Sequence, residues 1–145
     1  MARYSIAGRS TVVGTTVRAA ASLFAIASHT GRLREVGAFN TTATAVAVAL
    51  CRFTNATGVG AGLTEVLYDE AGPAPSMTGF AGHTADGAVG SNFRYASLGG
   101  AVGSGVIWTF GDVGVLIAAG TGNGIGIICP TGTGQLLDYY IDWDE

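Results

Sequence analysis

The sequence predicts an all-β protein: a single-domain β-sandwich with long glycine-rich loops and a jelly-roll arrangement as the favoured form. Apolar and polar side chains alternate in most segments, which is the period of a strand and not of a helix. Helical patterns are nearly absent. Many of the 24 glycines cluster between the alternating segments, where turns and close strand contacts need them.

The clearest strand is the C-terminal segment, residues 135–145. Four large side chains share one face, Leu137, Tyr139, Ile141 and Trp143, and three carboxylates share the other, Asp138, Asp142 and Asp144. A strand with one face on a core has this pattern, so we expect the apolar face inward and the carboxylates outward. Carboxylates at this spacing also permit a glycosidase-type pair. A solvated or partner-facing acidic strand face is the favoured interpretation.

Similar patterns predict about eight more strands. The others lie at residues 2–7, 22–27, 32–39, 44–53, 93–97, 106–110, 113–118 and 124–129. Glycine or other turn residues between neighbours predict three hairpins, which join 32–39 to 44–53, 106–110 to 113–118, and 124–129 to the C-terminal strand. In the strand at 44–53, alanines and Cys51 form one whole face, which predicts a second layer packed close to that face.

The chain length fits one domain, residues 1–145. Residues 1–12 form either an N-terminal arm or the first strand, because Tyr4 and Ile6 alternate with Arg3 and Ser5. Residues 63–70 predict one or two helical turns. The segment 54–105 is otherwise predicted to form long loops around one or two strands. No repeat of fixed period is present, which argues against a solenoid or a propeller.

The charge pattern excludes several functions. The chain has seven arginines, no lysine, ten acidic residues and a net charge of −3. Without lysine there is no Walker A loop and no Schiff-base site, and without a basic stripe nucleic acid is not an expected partner. No apolar run is long enough for a membrane span. Only 12% of the residues are charged. This small share predicts a surface covered by other subunits, and a monomer coated with Gly and Thr is the alternative.

No catalytic, cofactor or metal site is predicted, and we expect the protein not to be an enzyme. His29 and His83 lie in polar stretches and are expected on the surface or in loops. The glycine clusters at 58–62 and 120–126 lack the G-x-G-x-x-G spacing of a dinucleotide site, and no G-x-S-x-G is present. Cys51 and Cys129 lie in apolar runs, so we expect buried, reduced thiols.

Several stretches together resemble a known group of proteins. They are the opening MARYSIAGRSTVVGTT, the central GAFNTTATAVAVALCRFT, and the closing GSGVIWTFGDVGVLIAAGTGNGIGI with LLDYYIDWDE. They are similar to short Gly/Ala/Thr-rich virion structural proteins, of the capsid decoration or head accessory type, from tailed bacteriophages that infect actinobacteria. The resemblance covers nearly the whole chain and implies a location in the virion.

The expected role is that of a decoration protein on the capsid exterior, bound to the major capsid protein as a homo-oligomer, with a trimer favoured. The alternatives are a tail or head-fibre component, or a carbohydrate-binding β-sandwich module. That module needs exposed aromatic side chains, for which Trp108 and Trp143 are the candidates. Arg3, Tyr4 and Arg9 are the candidate interface residues, because guanidinium groups pair well with carboxylates at interfaces.

Overall fold

The computed structural model describes residues 1–145, in which eleven strands form two antiparallel sheets packed face to face. Sheet A contains β1 (Arg3–Arg9), β3 (Gly31–Asn40), β5 (Val66–Leu67), β8 (Gly105–Thr109), β9 (Val115–Ile117) and β11 (Leu137–Asp144). Sheet B contains β2 (Ala21–Phe24), β4 (Val46–Phe53), β6 (Thr78–Ala81), β7 (Val89–Leu98) and β10 (Gly124–Ile128). The protein is the all-β sandwich that the sequence predicts.

The strand order is that of a jelly roll. Sheet A has the order β5-β1-β11-β3-β8, with β9 also paired to β3, and sheet B has the order β6-β2-β10-β4-β7. Without the short strands β5, β6 and β9, each sheet has four strands, in the orders β1-β11-β3-β8 and β2-β10-β4-β7. The first strand pairs with the last and the second with the second to last, which is the wrapped arrangement of two Greek keys.

The main core lies between the sheets and contains 23 buried residues. The inward faces of the strands supply it, as period-two patterns require. Leu137, Tyr139, Ile141 and Trp143 of β11 are all buried there, as predicted, together with Val48 of β4. Since β11 lies between β1 and β3, its side chains occupy the middle of sheet A.

A second, smaller cluster covers the outer face of sheet B. Ala49, Cys51 and Phe53 of β4 pack there with Phe24 of β2, and loop residues such as Val59 close over them. This is the second layer that the alanine-rich face of β4 predicts.

The three predicted hairpins are wrong, although the strands themselves are present. β3 and β4 belong to different sheets, as do β10 and β11, and β8 and β9 both pair with β3 instead of with each other. In the pairs β3–β4 and β10–β11 the chain crosses between the sheets, so that consecutive strands bury their inward faces against each other across the core. A hairpin within one sheet does not provide that contact.

Residues 63–70 contain no helix, contrary to the prediction. They contain β5, in which Leu67 pairs with Tyr4 and Val66 with Ser5 of β1. An isolated helix of this length is marginal, and the neighbouring strand β1 offers hydrogen-bond partners instead. The segment 54–105 holds three strands, β5, β6 and β7, which is more than the one or two predicted. Of the two alternatives for residues 1–12, the structure has the strand, over Arg3–Arg9.

The sandwich has two opposite edges. β5 and β6 end the two sheets on one side, and β7 and β8 end them on the other, where β9 continues the line of β8 along β3. β7 and β8 contact each other across the sandwich. No helix with the length and apolar character needed to cross a membrane is present.

Candidate functional site

The N-terminal candidates all lie in or at the end of β1. Tyr4 is a core residue: it is 1% exposed, stacks on Trp143 with 5.6 Å between ring centroids, and donates a hydrogen bond to the carbonyl oxygen of Pro73. Arg3 and Arg9 project from the outer face of sheet A. Tyr4 therefore anchors the strand, and only the two arginines reach the surface.

Both arginines already have carboxylate partners on β11. Arg9 donates two hydrogen bonds to Asp138, at 2.7 and 2.9 Å, and lowers the pKa of that carboxyl. Arg3 donates to Asp144 at 2.8 Å, and Arg34 of β3 donates to the same carboxylate at 2.6 Å. Burial alone would raise the pKa of Asp144, but the bonds from Arg3 and Arg34 outweigh it and hold the pKa below its ordinary value.

The carboxylates of β11 do point away from the core, but only Asp138 is solvated. Asp142 and Asp144 are 8% and 6% exposed, which corrects the prediction of a solvated acidic face. Arg3 and Arg34 cover Asp144, and Tyr68 covers Asp142 through a 2.7 Å hydrogen bond from its hydroxyl. That bond, together with burial, raises the pKa of Tyr68 to about 12.

Asp142 is the least satisfied polar group of this face. One of its oxygens, Oδ1, is buried without a hydrogen-bond partner. Asp142 lies directly opposite Glu35 of β3, and like charges opposite each other on neighbouring strands are unfavourable. The Tyr140 hydroxyl donates to Glu35 at 2.5 Å. Neither carboxylate of this pair forms a salt bridge with an arginine.

An open pocket of about 470 Å³ lies over this pair, on the outer face of sheet A. Eight residues line it, nearly all of them polar: Arg3, Arg34, Glu35, Tyr68, Thr109, Gly111, Asp112 and Asp142. Arg34 spans it and donates to the carbonyl oxygens of Gly111 and Asp112. The pocket offers carboxylate acceptors, guanidinium donors and the ring of Tyr68, which is 63% exposed.

A different surface lies at the edge formed by β7, β8 and β9. Three arginines there have no carboxylate partner and donate only to backbone carbonyls: Arg32 to Val113, Arg52 to Leu116 and Arg94 to Phe93. Two large apolar side chains are exposed at the same edge, Ile107 of β8 and Leu116 of β9, both on the outer face of sheet A. We call these five residues, Arg32, Arg52, Arg94, Ile107 and Leu116, the arginine edge.

The arginine edge is held in shape by aromatic and cation–π contacts between the two sheets. Phe93 of β7 and Phe110, just after β8, pack with ring centroids 6.1 Å apart. Arg52 lies over Phe93 at 5.8 Å and Arg94 over Phe110 at 5.1 Å. Cation–π contacts of this kind fix a guanidinium without neutralising it. Two of the arginines are therefore positioned and still charged.

β7 itself is an unusual edge strand. It has ten residues, most of them exposed, and a free backbone on its outer side. Proteins normally protect such an edge with short strands, lysines or prolines, and here Arg94 is the one charged residue on the strand. The sequence showed alternation at 93–97 but gave no sign that both faces would be exposed.

The histidines divide between two environments. His29 is exposed, as predicted, but His83 is 1% exposed and lies between Phe24 and Phe53, which corrects its prediction as a surface or loop residue. Its Nε2 is 2.8 Å from the Ser22 hydroxyl, while Nδ1 has no partner. Burial lowers the pKa of His83 to about 4. A Ser–His pair sealed in a core, with no group to orient the imidazole, is not a nucleophile site.

The cysteines and tryptophans are structural. Cys51 and Cys129 are free and buried, as predicted. Trp143 is fully buried and Trp108 is 8% exposed, so neither is available as a sugar platform. No group of three His, Cys, Asp or Glu side chains is placed to hold a metal ion.

The candidate surfaces are thus the arginine edge and the polar pocket, which lie on different parts of the sandwich. The arginine edge joins the two sheets at one side, and the pocket opens on the outer face of sheet A. Comparisons with protein-family models, with curated proteins and with solved structures find no match to this chain.

Proposed function

We propose that this chain is a structural subunit of the virion of a tailed bacteriophage, a decoration protein that binds the outer surface of the head and stabilises the shell. The observation that carries the proposal is the arginine edge, where unpaired cations and exposed apolar side chains lie together, as in a subunit that contacts other subunits within an assembly. Contiguous surfaces of this kind mark contacts with other proteins. The resemblance to short virion proteins supports the virion as that assembly.

The mechanism is mass action and requires no chemical step. A protein that binds the assembled shell, and not its separate subunits, adds its binding free energy to the stability of the shell. The sandwich is suited to this role because one chain completes its own core between the two sheets. The partner on the head is the major capsid protein.

Arg9 is the first candidate for contact with an acidic capsid surface. Its pair with Asp138 is exposed, with side chains 63% and 46% accessible, and exposed pairs contribute little to stability. Arg9 can therefore exchange Asp138 for a carboxylate of the capsid protein. Arg3 is less free, since it shares the covered carboxylate of Asp144 with Arg34.

The test is binding to expanded heads that lack this protein. Purified protein should cosediment with the heads to a saturating ratio and raise the temperature at which they come apart. Arg9→Glu should weaken binding, whereas Arg18→Glu, which breaks a similar exposed pair with Asp86 elsewhere, should not. Protein found on purified tails and absent from heads would replace this role with the tail or fibre alternative.

The polar pocket favours a second candidate function, a carbohydrate-binding module. Sugar hydroxyls donate to carboxylates and accept from arginines, and an exposed tyrosine ring can pack against a sugar face. Glu35, Asp112 and Asp142 bring carboxylates to the pocket, and the exposed Tyr68 supplies a ring. Tyr68 supplies the ring that Trp108 and Trp143 cannot.

Titration calorimetry with N-acetylglucosamine and glucose oligomers tests this second function. Binding that disappears in both Asp142→Asn and Tyr68→Ala, and persists in the distant variant Tyr95→Ala, would support a sugar site. The absence of any heat of binding at millimolar oligomer concentrations would reject these two classes of sugar as ligands.

A further inference from the structure

We infer that the arginine edge binds a second copy of this chain head to tail, against the opposite edge of the sandwich. The opposite surface, here called the acidic edge, consists of Glu65, Val66, Tyr68, Asp69 and Glu70 in and around β5. The inference rests on the proposed function and deepens it, because it assigns the contact between neighbouring subunits of the decoration layer.

The distribution of unpaired charge is the first argument. Four of the seven arginines have carboxylate partners within the chain, and the three that do not are all at the arginine edge. One aspartate, Asp112, lies nearby in the turn between β8 and β9. One negative charge against three arginines leaves this edge net positive. Glu65, Asp69 and Glu70 pair with no arginine and lie within one stretch of six residues, 65–70, at the other side of the molecule.

The carboxylates of the acidic edge are available to a partner. Glu70 makes no side-chain hydrogen bond and is exposed. Asp69 accepts one bond, from the backbone amide of Ala71, and Glu65 accepts one from Gly79. A carboxylate has about four acceptor positions, so each can also accept from a guanidinium.

The apolar parts of the two edges also correspond. Beside the acidic edge lies an open groove of about 420 Å³, lined by Ser5, Ala7, Val66, Leu67 and Tyr68 and mostly apolar. The arginine edge presents Ile107 and Leu116, which are 53% and 44% exposed. One edge thus offers apolar groups flanked by cations, and the other offers an apolar groove flanked by carboxylates, which is electrostatic complementarity.

The geometry then determines the type of contact. β5 and β8 end sheet A on opposite sides, so a contact between them joins different patches of two copies. Such heterologous contacts close into a ring where the rotation permits. A two-fold contact of the arginine edge with itself would bring like charges together, which is costly. We expect the copies to close into a ring.

The experiment is a charge exchange between the edges, followed by native mass spectrometry and light scattering of the full chain. The variants are Arg94→Glu, Glu70→Arg and the double variant. Each single variant should weaken self-association at least about tenfold, because like charges then meet, and the double variant should restore it. Arg94→Lys, which keeps the charge, and Thr57→Arg, an added cation on an exposed loop away from both edges, should associate like the original chain.

The outcomes separate this inference from the proposed function. A monomeric original chain, or single variants that associate normally, would overturn the head-to-tail contact. Loss of self-association in Arg94→Glu, without its recovery in the double variant, would also overturn the head-to-tail contact, provided that circular dichroism shows the variants folded. Binding to heads is measured in a separate experiment. A monomer that still binds heads would leave the decoration role intact. A ring that does not bind heads would leave the head-to-tail contact intact and reject the decoration role.

Discussion

His83 shows how a single residue takes its properties from neighbours distant in sequence. Its ring lies 5.0 Å from that of Phe53 and 6.1 Å from that of Phe24. The local sequence Gly82-His83-Thr84 is polar and suggests a loop at the surface. The burial comes from β2 and β4, which are brought together by the sheet and not by the residues next to His83.

The burial of His83 predicts a pH-dependent stability. Its pKa is about 4 in the folded chain, against an ordinary value of 6.5, so between these values the unfolded chain binds a proton that the folded chain does not. The free energy of unfolding should therefore fall as the pH falls through this window, by about 1.4 kcal/mol per pH unit at most. Urea unfolding from pH 7.5 to 4.5 measures this slope.

Two variants identify the group responsible for that slope. His83→Gln should flatten it, whereas His29→Gln, which changes the exposed histidine, should leave it as it is. Asp138 and Asp144, whose pKa values are lowered, lose their contribution only below the ordinary value of 3.8, outside this window. An unchanged slope in His83→Gln would assign the pH dependence to another group.

A second prediction concerns the effect of alanine on stability at Gly60 and Gly62, two nearby positions of one loop. A Cβ at Gly60 would lie 2.0 Å from the carbonyl oxygens of Ala81 and Gly82, which are backbone atoms with little freedom to move. A Cβ at Gly62 would meet nothing within 4 Å. Gly60→Ala should lower the free energy of unfolding by about 1–3 kcal/mol, and Gly62→Ala should change it little. Equal urea midpoints for Gly60→Ala and Gly62→Ala would contradict the close packing of this loop on β6.

Asp142 and Asp144 show which properties of the candidate site can be predicted from the sequence. The alternation in residues 135–145 correctly places both on the outer face of β11. Their burial depends on Tyr68 and Arg34, which are remote in sequence and reach β11 only through sheet pairing. No local pattern contains that information.

At the scale of elements, the strand patterns predicted where strands form but not how they pair. The strands at 32–39 and 124–129 are present with small shifts of their bounds, because alternation is a local property. Pairing is decided by burial across the whole core. The arginine edge could not be predicted for the same reason, because it brings together β3, β4, β7, β8 and β9.

β11 is the element on which sheet A depends most. It lies between β1 and β3, and Ile141 is fully buried. Ile141→Ala should lower the free energy of unfolding by about 2–5 kcal/mol, and deletion of residues 137–145 should abolish folding. Asp138→Asn, on the exposed face of the same strand, should hardly move the urea midpoint. A truncated chain with an unchanged melting curve would show that β11 is peripheral.

At the scale of the whole molecule, the two thiols report on global unfolding. Cys129 lies in the main core and Cys51 in the cluster outside sheet B, and burial raises the pKa of Cys51 to about 12. Neither thiol should react with Ellman's reagent in the folded protein, and two per chain should react in urea. A mass increase of two hydrogens on reduction would show a disulfide instead. Rapid reaction of one thiol without denaturant would show local opening around it.

The pairing of the two chain ends governs when the protein can fold. The amide of Ala2 donates to the carbonyl oxygen of Glu145 at 2.8 Å, and the amide of Glu145 donates back to Ala2 at 3.0 Å. Contacts between such distant positions make folding slow, because a long loop must close before they form. On the ribosome, β1 and β3 emerge well before β11 and keep unpaired edges that other nascent chains can bind. Sheet A is therefore completed after synthesis of β11 and not during translation of the strands before it.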